Sequence, residues 1–168
     1  MWTRSIGAAL GLGALVASLA ACGGSSGDSA SEQALQHEAD LYAIDQIEKT
    51  WHEATSTRNV DLMMTLFAPN ATYTIGPGKT FVGKKQIRGF WLTAPVFQPE
   101  NHWVSETPAY KIRITANGDR GTLYFECHYI DPKTMQVVGL VSADQQVARI
   151  NGRWLVTTHV GATPELIP

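Results

Sequence analysis

Two Asn-Gly dipeptides, Asn117-Gly118 and Asn151-Gly152, constrain the second half of this chain more than any other feature of the sequence. Each stands between segments in which apolar and polar residues alternate, and Asn-Gly is the strongest two-residue signal for a β-hairpin. The sequence therefore predicts two antiparallel hairpins, joined through a loop around Asp131 into a four-stranded meander.

The first hairpin has a predicted register in which Asn117 and Gly118 form the loop and Ile112 faces Leu123. Strand side chains alternate between faces, so this register collects apolar side chains on one face. Those residues are Tyr110, Ile112, Ile114, Leu123, Phe125 and Cys127.

The second hairpin, with Asn151-Gly152 as its loop, pairs Asp144 with His159 on the polar face. A surface ion pair is the expected interpretation of that pairing. Gln145 and Thr158 face each other on the apolar face in the same register. Because buried polar groups need partners, these two residues either lie at the open end of the sheet or bind a polar group of a ligand.

The first half of the chain predicts three helices. The first follows Ser29 in a capping box with Glu32 and runs to about Thr57, with an apolar stripe at 3.6-residue spacing. Its stripe consists of Leu41, Ile44, Ile47, Trp51 and Ala54, and it leaves His37 and His52 on the solvent side.

The second and third helices are shorter. Asn59 is the predicted N-cap of the second, which carries Leu66 and Phe67 and ends at Pro69. A short strand with alternating Ala71, Tyr73 and Ile75 and a return strand at Phe81-Val82 follow, and the third helix runs from Gly83 to Pro95. This order predicts an α+β fold, with three helices packed on a curved antiparallel β-sheet.

The N-terminus predicts export. Arg4 precedes a Gly/Ala/Leu-rich run that ends in Leu19-Ala20-Ala21-Cys22, which resembles a bacterial lipobox. The resemblance implies a signal peptide over residues 1–21, fatty acylation of Cys22 and anchoring in the bacterial cell envelope. The apolar run is short for a transmembrane helix, which needs about 20 residues. Residues 22–31 are predicted as a flexible tether, and residues 32–168 as the folded domain.

Composition excludes several functions. The chain has a formal net charge of −2 and no block of Lys or Arg, which argues against nucleic acid as a partner. Of the two cysteines, acylation consumes Cys22, so Cys127 is predicted as a buried thiol with no disulfide partner. No pair of residues has metal-ligand spacing, and no glycine-rich phosphate loop follows a strand, so no metal or cofactor is expected.

The chain resembles the SnoaL-like branch of the nuclear transport factor 2-like superfamily over about residues 35–161. The matching segments are Ile44-x-x-Ile47-x-x-x-Trp51, Leu62-x-x-x-Leu66-Phe67-Ala68, Ala71-x-Tyr73, Phe81-x-Gly83-x-x-x-Ile87 and Asn151-Gly152-Arg153-Trp154. The resemblance implies a cone-shaped fold with a pocket between the concave sheet and the first and third helices. Dehydratase-like relatives use a Tyr and an Asp late in the first helix and a His after the third helix. Trp51 and Ser56 occupy the first two positions here, and His102 matches the third.

Three functions are compatible with this sequence. The first is a membrane-anchored domain that binds a small hydrophobic or amphipathic ligand. The second is a cofactor-independent lyase or isomerase that uses His102 as its catalytic residue. The third is a dimeric interaction module, a homodimer formed through the outer face of the sheet. The predicted ligand pocket consists of Trp51, Phe67, Tyr73, Phe90, Trp91, Trp103, Tyr110, Phe125, Gln145 and Thr158.

Overall fold

The predicted α+β fold is confirmed. A computed structural model describes residues 26–76, 78–105, 109 and 111–162, so the Cys22 and Tyr110 predictions lie outside the described residues. Three helices pack on a curved, unclosed sheet of seven strands. The elements in chain order are α1 (Ser26–Thr57), α2 (Val60–Met64), β1 (Phe67–Ile75), β2 (Lys79–Val82), α3 (Gly83–Thr93), a 3-10 turn (Pro95–Phe97), β3 (Val104–Ser105), β4 (Lys111–Asn117), β5 (Arg120–Asp131), β6 (Gln136–Ile150) and β7 (Arg153–Ala162).

The sheet has the order β2-β1-β7-β6-β5, and both β3 and β4 pair with the outer edge of β5. The predicted meander of β4 to β7 is therefore present. The pairing of β1 with β7 is parallel, so the sheet is mixed rather than purely antiparallel. This arrangement places the first strand of the chain beside the last one.

The first hairpin is shifted from its predicted register by two residues. Asn117 pairs with Arg120, so the loop is Gly118 and Asp119, and Ile112 faces Phe125 rather than Leu123. Gly118 has a φ of 57°, which fits the first central position of a type II′ turn. A shift of two residues keeps every side chain on its predicted face, because the side-chain period of a strand is two.

The second hairpin matches the prediction only close to its turn. Ile150 pairs with Arg153 and Val147 with Val156. A β-bulge then places Thr157 as an extra residue on β7, so the pairing beyond it moves by one. The predicted Asp144–His159 and Gln145–Thr158 pairs are therefore wrong. Gln145 instead faces His159, Gln146 faces Thr158 and Asp144 faces Val160, in each case because a one-residue shift inverts the strand.

Two predicted helix boundaries also differ. Helix α1 begins at Ser26, so residues 26–31, predicted as part of a tether, are helical. Helix α2 is capped by Asn59, whose side chain accepts a hydrogen bond from the backbone N–H of Leu62, as predicted. It ends at Met64, however, and Pro69 lies inside β1. The β1–β7 register is irregular between Phe67 and Thr72, and an irregular stretch of strand tolerates the missing N–H of proline.

The core lies between the apolar stripe of α1 and the concave face of the sheet. Ile44, Ile47 and Trp51 of α1 are buried against strand residues such as Leu123 and Phe125, which are fully buried. Burying one such side chain contributes about 1.5–3 kcal/mol to folding. This packing sets the distance between α1 and the sheet.

Asp40 holds α1 where the helix meets the two hairpin turns. Its Oδ1 lies 2.5 Å from a guanidinium nitrogen of Arg149, and it accepts hydrogen bonds from Gln36 and from the indole N–H of Trp154. Arg149 also pairs with Asp119 of the β4–β5 turn. No helix in the described part of the chain is both long and apolar enough to span a membrane.

Gly121→Ala should destabilise the fold, because a Cβ at this position would lie 2.3 Å from the backbone oxygen of Thr115 and 3.0 Å from Ile44 Cδ1. Overpacking of this kind costs about 1–3 kcal/mol or more. Urea denaturation measures the loss. The matched control is Gly89→Ala on the exposed side of α3, where a Cβ meets nothing within 4 Å and should be neutral or stabilising. Equal stability of the two variants would contradict the close approach of Gly121 to Thr115 and Ile44.

Candidate functional site

A cavity of about 560 Å³ lies between the concave face of the sheet, α1, α3 and the 3-10 turn. Its deep end is formed by buried residues, and its rim by exposed ones such as Gly76, Pro95 and Val141. The rim lies where β1 and β7 end and β6 begins. The lining residues are Trp51, Tyr73, Ile75, Gly76, Phe90, Trp91, Ala94, Pro95, Val96, Trp103, Phe125, Cys127, Tyr129, Gly139, Leu140, Val141, Ser142, Ala143, His159 and Gly161.

The structure brings six of the predicted pocket residues together in this cavity, namely Trp51, Tyr73, Phe90, Trp91, Trp103 and Phe125. Phe67 does not line it. Phe67 pairs with Val156 near the turn end of β7, where both residues are fully buried in the core. Thr158 does not line it either, because the bulge turns it to the other face of the sheet. Gln145 is fully buried, as predicted for the apolar face, but it does not line the cavity and instead contacts a residue that does.

That other residue is His159, which the sequence placed on the polar surface and which the structure places in the cavity wall. Gln145 Nε2 lies 3.2 Å from His159 Nδ1. Since the amide nitrogen donates, Nδ1 accepts and the proton of the neutral ring is on Nε2. Nε2 has no hydrogen-bond partner among the described residues, so it is available to a ligand. Alternation in the sequence carries no mark of the bulge, so His159 could not be found from it.

The His159 ring is held by aromatic neighbours. It lies nearly parallel to Tyr73, with centroids 4.1 Å apart, and nearly parallel to Trp51 at 5.2 Å. Burial among these rings disfavours the imidazolium and lowers the pKa of His159 to about 3. The ring is therefore uncharged at neutral pH.

The other titratable groups of the cavity are also held neutral. Burial raises the pKa of the Tyr73 and Tyr129 hydroxyls and of the Cys127 thiol above their usual ranges. Among the described residues that line the cavity, none is Asp, Glu, Lys or Arg. The site thus presents neutral hydrogen-bonding groups in an aromatic surrounding.

A buried polar network lies directly behind the cavity. His52 Nδ1 is 2.7 Å from Ser105 Oγ, and His52 Nε2 is 3.1 Å from Glu48 Oε1 and 3.4 Å from Cys127 Sγ. The same carboxylate oxygen accepts a hydrogen bond from the Ala109 backbone N–H. Burial raises the pKa of Glu48, and the Ala109 N–H partly offsets this. Of these groups, only Cys127 lines the cavity.

The solvent position expected for His52 is therefore wrong, since its side chain is fully buried, whereas His37 is exposed as expected. The i, i+4 spacing of Glu48 and His52 was the available signal, because residues four apart lie on the same face of a helix. Their face of α1 packs against β3 and β5 and is covered by them.

The structure does not place His102 in the cavity. Its side chain is 46% exposed, and its Nε2 lies 3.3 Å from Asp131 Oδ1 at the end of β5. The reason is that residues 101–103 precede β3, with Trp103 turned inward and His102 turned outward. Ser56, which occupies the position of the relatives' Asp, accepts a hydrogen bond from the Ser105 backbone N–H and serves as a tie between α1 and β3.

No three His, Cys, Asp or Glu side chains of the described residues converge in a group that could hold a metal ion.

Residues 49–158 match the family model of the SnoaL-like domain, and the chain belongs to that family. A nuclear transport factor 2-like protein from Pseudomonas putida superposes with a TM-score of 0.66 at 18% identity, covering 78% of this chain and 98% of that one. A second such protein, from Novosphingobium aromaticivorans, gives 0.67 at 10% identity, with 84% and 92% covered. A type 2 hexachlorocyclohexane dehydrochlorinase gives 0.59 at 17% identity, with 76% and 87% covered. No curated protein matches the sequence significantly.

These likenesses show the fold. The family and fold support a ligand-binding pocket or a cofactor-independent isomerase or dehydratase.

The low pKa of His159 predicts a pH dependence of stability. The unfolded chain binds a proton at this residue below about pH 6.5, whereas the folded protein binds it only near pH 3. Stability should therefore fall as the pH drops from about 6.5 toward 3, by up to about 1.4 kcal/mol per pH unit from this residue. His159→Gln should remove that part of the slope in urea denaturation measured across this range.

His37→Gln, which removes an exposed histidine of α1, is the matched control and should follow the wild-type curve. An unchanged slope in His159→Gln would contradict the buried, neutral state of His159.

Proposed function

We propose that this protein binds an uncharged hydrophobic molecule with one or more rings in its cavity. The observation that carries the proposal is an aromatic cavity of about 560 Å³ whose titratable groups are all held neutral. Cavities of about 300–1,000 Å³ with apolar walls and a few polar groups are typical of small-molecule sites.

The absence of charge in the wall selects against ions. A charged group that enters such a cavity loses its hydration and meets no opposite charge among the described lining residues, at a cost of several kcal/mol. Uncharged ligands do not incur this cost. The chemistry of the wall therefore favours a neutral molecule.

The arrangement of the rings favours a flat ligand. Trp51 and Trp91 meet edge to face at 5.2 Å, and Tyr73 lies 5.1 Å from Phe90. Aromatic pairs contribute about 0.5–1.5 kcal/mol beyond the area they bury. A ring inserted among these side chains can make the same contacts.

His159 supplies the polar group that orients the ligand. Its Nε2–H is a donor without a partner among the described residues, and the Gln145 amide fixes the ring orientation. The Tyr73 hydroxyl, whose raised pKa keeps it protonated, is a second donor in the same wall. Both suit a hydrogen-bond acceptor on the ligand, such as a carbonyl or ether oxygen.

The alternative is a cofactor-independent isomerase or dehydratase, the chemistry that the fold also supports. Such an enzyme needs a base whose pKa lies near the working pH. An imidazole with a pKa of about 3 is a weak base, and the Glu48 carboxylate lies behind the cavity wall rather than in it. Binding is therefore the better supported function.

We also propose that the protein is a lipoprotein of the bacterial cell envelope. The support is Leu19-Ala20-Ala21-Cys22 after a short apolar run with Arg4 before it. Several acyl chains on one residue give stable anchoring, at about 0.8 kcal/mol for each buried methylene.

N-phenyl-1-naphthylamine, an uncharged three-ring probe, should bind the purified protein with increased fluorescence. Its sulfonated analogue, 8-anilinonaphthalene-1-sulfonate, should bind at least about tenfold more weakly, which corresponds to 1.4 kcal/mol for the buried charge. Ala143→Phe places a ring in the cavity and should abolish binding of the neutral probe.

Asp144→Ala, on the opposite face of β6, is the matched control and should bind as the wild type does. Tighter binding of the sulfonate than of the neutral probe would contradict the proposed selectivity.

Cys22→Ala should abolish fatty acylation, because the proposed acyl acceptor is the Cys22 sulfur. Metabolic labelling with a radioactive fatty acid measures this in cells that express the full chain. Cys127→Ala is the control and should keep its label, since Cys127 is buried in the domain. Equal labelling of wild type and Cys22→Ala would refute the anchor.

A further inference from the structure

The cavity and the N-terminus of α1 lie at opposite ends of the domain. Asp40 contacts Arg149 and Trp154 beside the two hairpin turns, whereas His52 contacts Cys127 in the second half of β5. Helix α1 therefore runs along β5 from the turn end of the sheet toward the cavity end. The cavity rim, with Val141 and Gly161, is at the end far from the turns.

The helix extends beyond the domain before it reaches Asp40. Every residue from Ser29 to Ala39 is exposed, and Asp40 is the first buried residue after Ser29. The 14 residue steps from Ser26 to Asp40 rise about 21 Å, and the 25 steps from Ser26 to Trp51 rise about 38 Å. We call Ser26–Ala39 the spacer.

The spacer leaves the domain from a fixed joint. Asp40 is bound by Gln36, Arg149 and Trp154, and Arg149 is itself held by Asp119. These contacts join the last turn of the spacer to both hairpin turns. The helix axis is continuous through the joint, so the spacer and the domain keep one relative orientation.

The charge of the spacer disfavours contact with a bilayer surface. It carries Asp28, Glu32 and Glu38, and the first Lys or Arg of α1 is Lys49. Helices that lie on membranes present Lys or Arg to anionic headgroups beside a broad apolar face. An acidic helix is repelled by the same headgroups.

We propose that the spacer holds the cavity rim away from the membrane to which Cys22 is attached, so that the ligand exchanges with the aqueous phase and is not drawn directly from the bilayer. The four residue steps from Cys22 to Ser26 reach at most about 14 Å, so the attachment point stays near the start of the spacer. This inference rests on the proposed lipidation and on the proposed ligand cavity.

Energy transfer to the membrane tests the orientation. The lipidated full-length protein is inserted into vesicles of phosphatidylethanolamine and phosphatidylglycerol that contain a fluorescent acceptor lipid. One variant carries a donor dye at Asn117→Cys, beside the first hairpin turn, and its matched partner carries it at Lys133→Cys, beyond the end of β5. The buried Cys127 stays unlabelled.

The two labels are separated by the length of β5, about 36 Å. The dye at Asn117→Cys should therefore show strong energy transfer to the acceptor lipid, and the dye at Lys133→Cys should show energy transfer close to background. Deletion of residues 29–35, about two helical turns, should bring both labels about 10 Å closer to the membrane and raise both signals. Equal transfer from the two labels overturns the proposal. Stronger transfer from Lys133→Cys also overturns it, since the exposed Val137 and Val138 would then face the bilayer.

The source of the ligand is tested with N-phenyl-1-naphthylamine loaded into vesicles. The probe is placed either in the vesicles that carry the protein or in separate vesicles, and filling is followed by energy transfer from the cavity tryptophans. Equal filling rates are expected, because both routes pass through water. Faster filling from the protein's own vesicles overturns the proposal.

Flotation with vesicles and saturable probe binding test the two underlying proposals, the lipid anchor and the ligand cavity, separately. A wild-type protein that does not float with vesicles lacks the anchor, and the inference fails with it. A floating protein with no saturable probe signal lacks the proposed binding function, which overturns the part of the inference that concerns the ligand. For a protein that floats with vesicles, the two transfer measurements report the orientation whether or not the probe binds.

Discussion

The site of this protein depends on one extra residue in its last strand. Beside the turn, β6 and β7 pair as regular alternation requires, and Thr157 then shifts the pairing by one. The shift turns His159 and Gln145 toward each other on the buried face, and it turns Thr158 away. Without it, the cavity wall would present a threonine where it now presents an imidazole. A bulge also increases local twist, which suits a strand that must curve around a cavity.

Most of the fold could be predicted because it depends on periodicity and on turn chemistry. The Asn-Gly pairs, the stripe of α1 and the strand at Tyr73 each give local signals. An error of two residues in the strand register, as in the first hairpin, leaves every side chain on its predicted face of the sheet. A register error of one residue moves every side chain to the opposite face, and the alternation of apolar and polar residues does not reveal a bulge. Six of the predicted aromatic residues line the cavity, whereas Phe67 does not, and the sequence placed His159 on the surface and His102 in the pocket.

The neutral groups of the cavity wall and the buried carboxyl behind it lie in two separate layers, because a charge is costly to place in an apolar environment. In the cavity wall every titratable group is neutral, and the carboxylate that α1 contributes, Glu48, lies one layer deeper against His52 and the Ala109 N–H. Its Oε1 has hydrogen-bonding partners in that layer, whereas a carboxyl that faces an apolar space has none and is costly to bury. The network also ties α1 to β3 and β5, so the helix that forms the cavity's deep end is fixed at the position of His52.

Helix α1 thus serves two ends of the molecule with one rigid element. Its second half supplies Trp51 to the cavity and Glu48 and His52 to the network, and its first half projects from the joint at Asp40. Because the hydrogen-bonded helix is continuous between them, the direction of the projection is set by the packing of the core. Core packing therefore fixes where the cavity rim lies relative to the N-terminus of the helix, and the apolar stripe that buries Ile44 and Ile47 places that rim at the end of the domain far from the spacer.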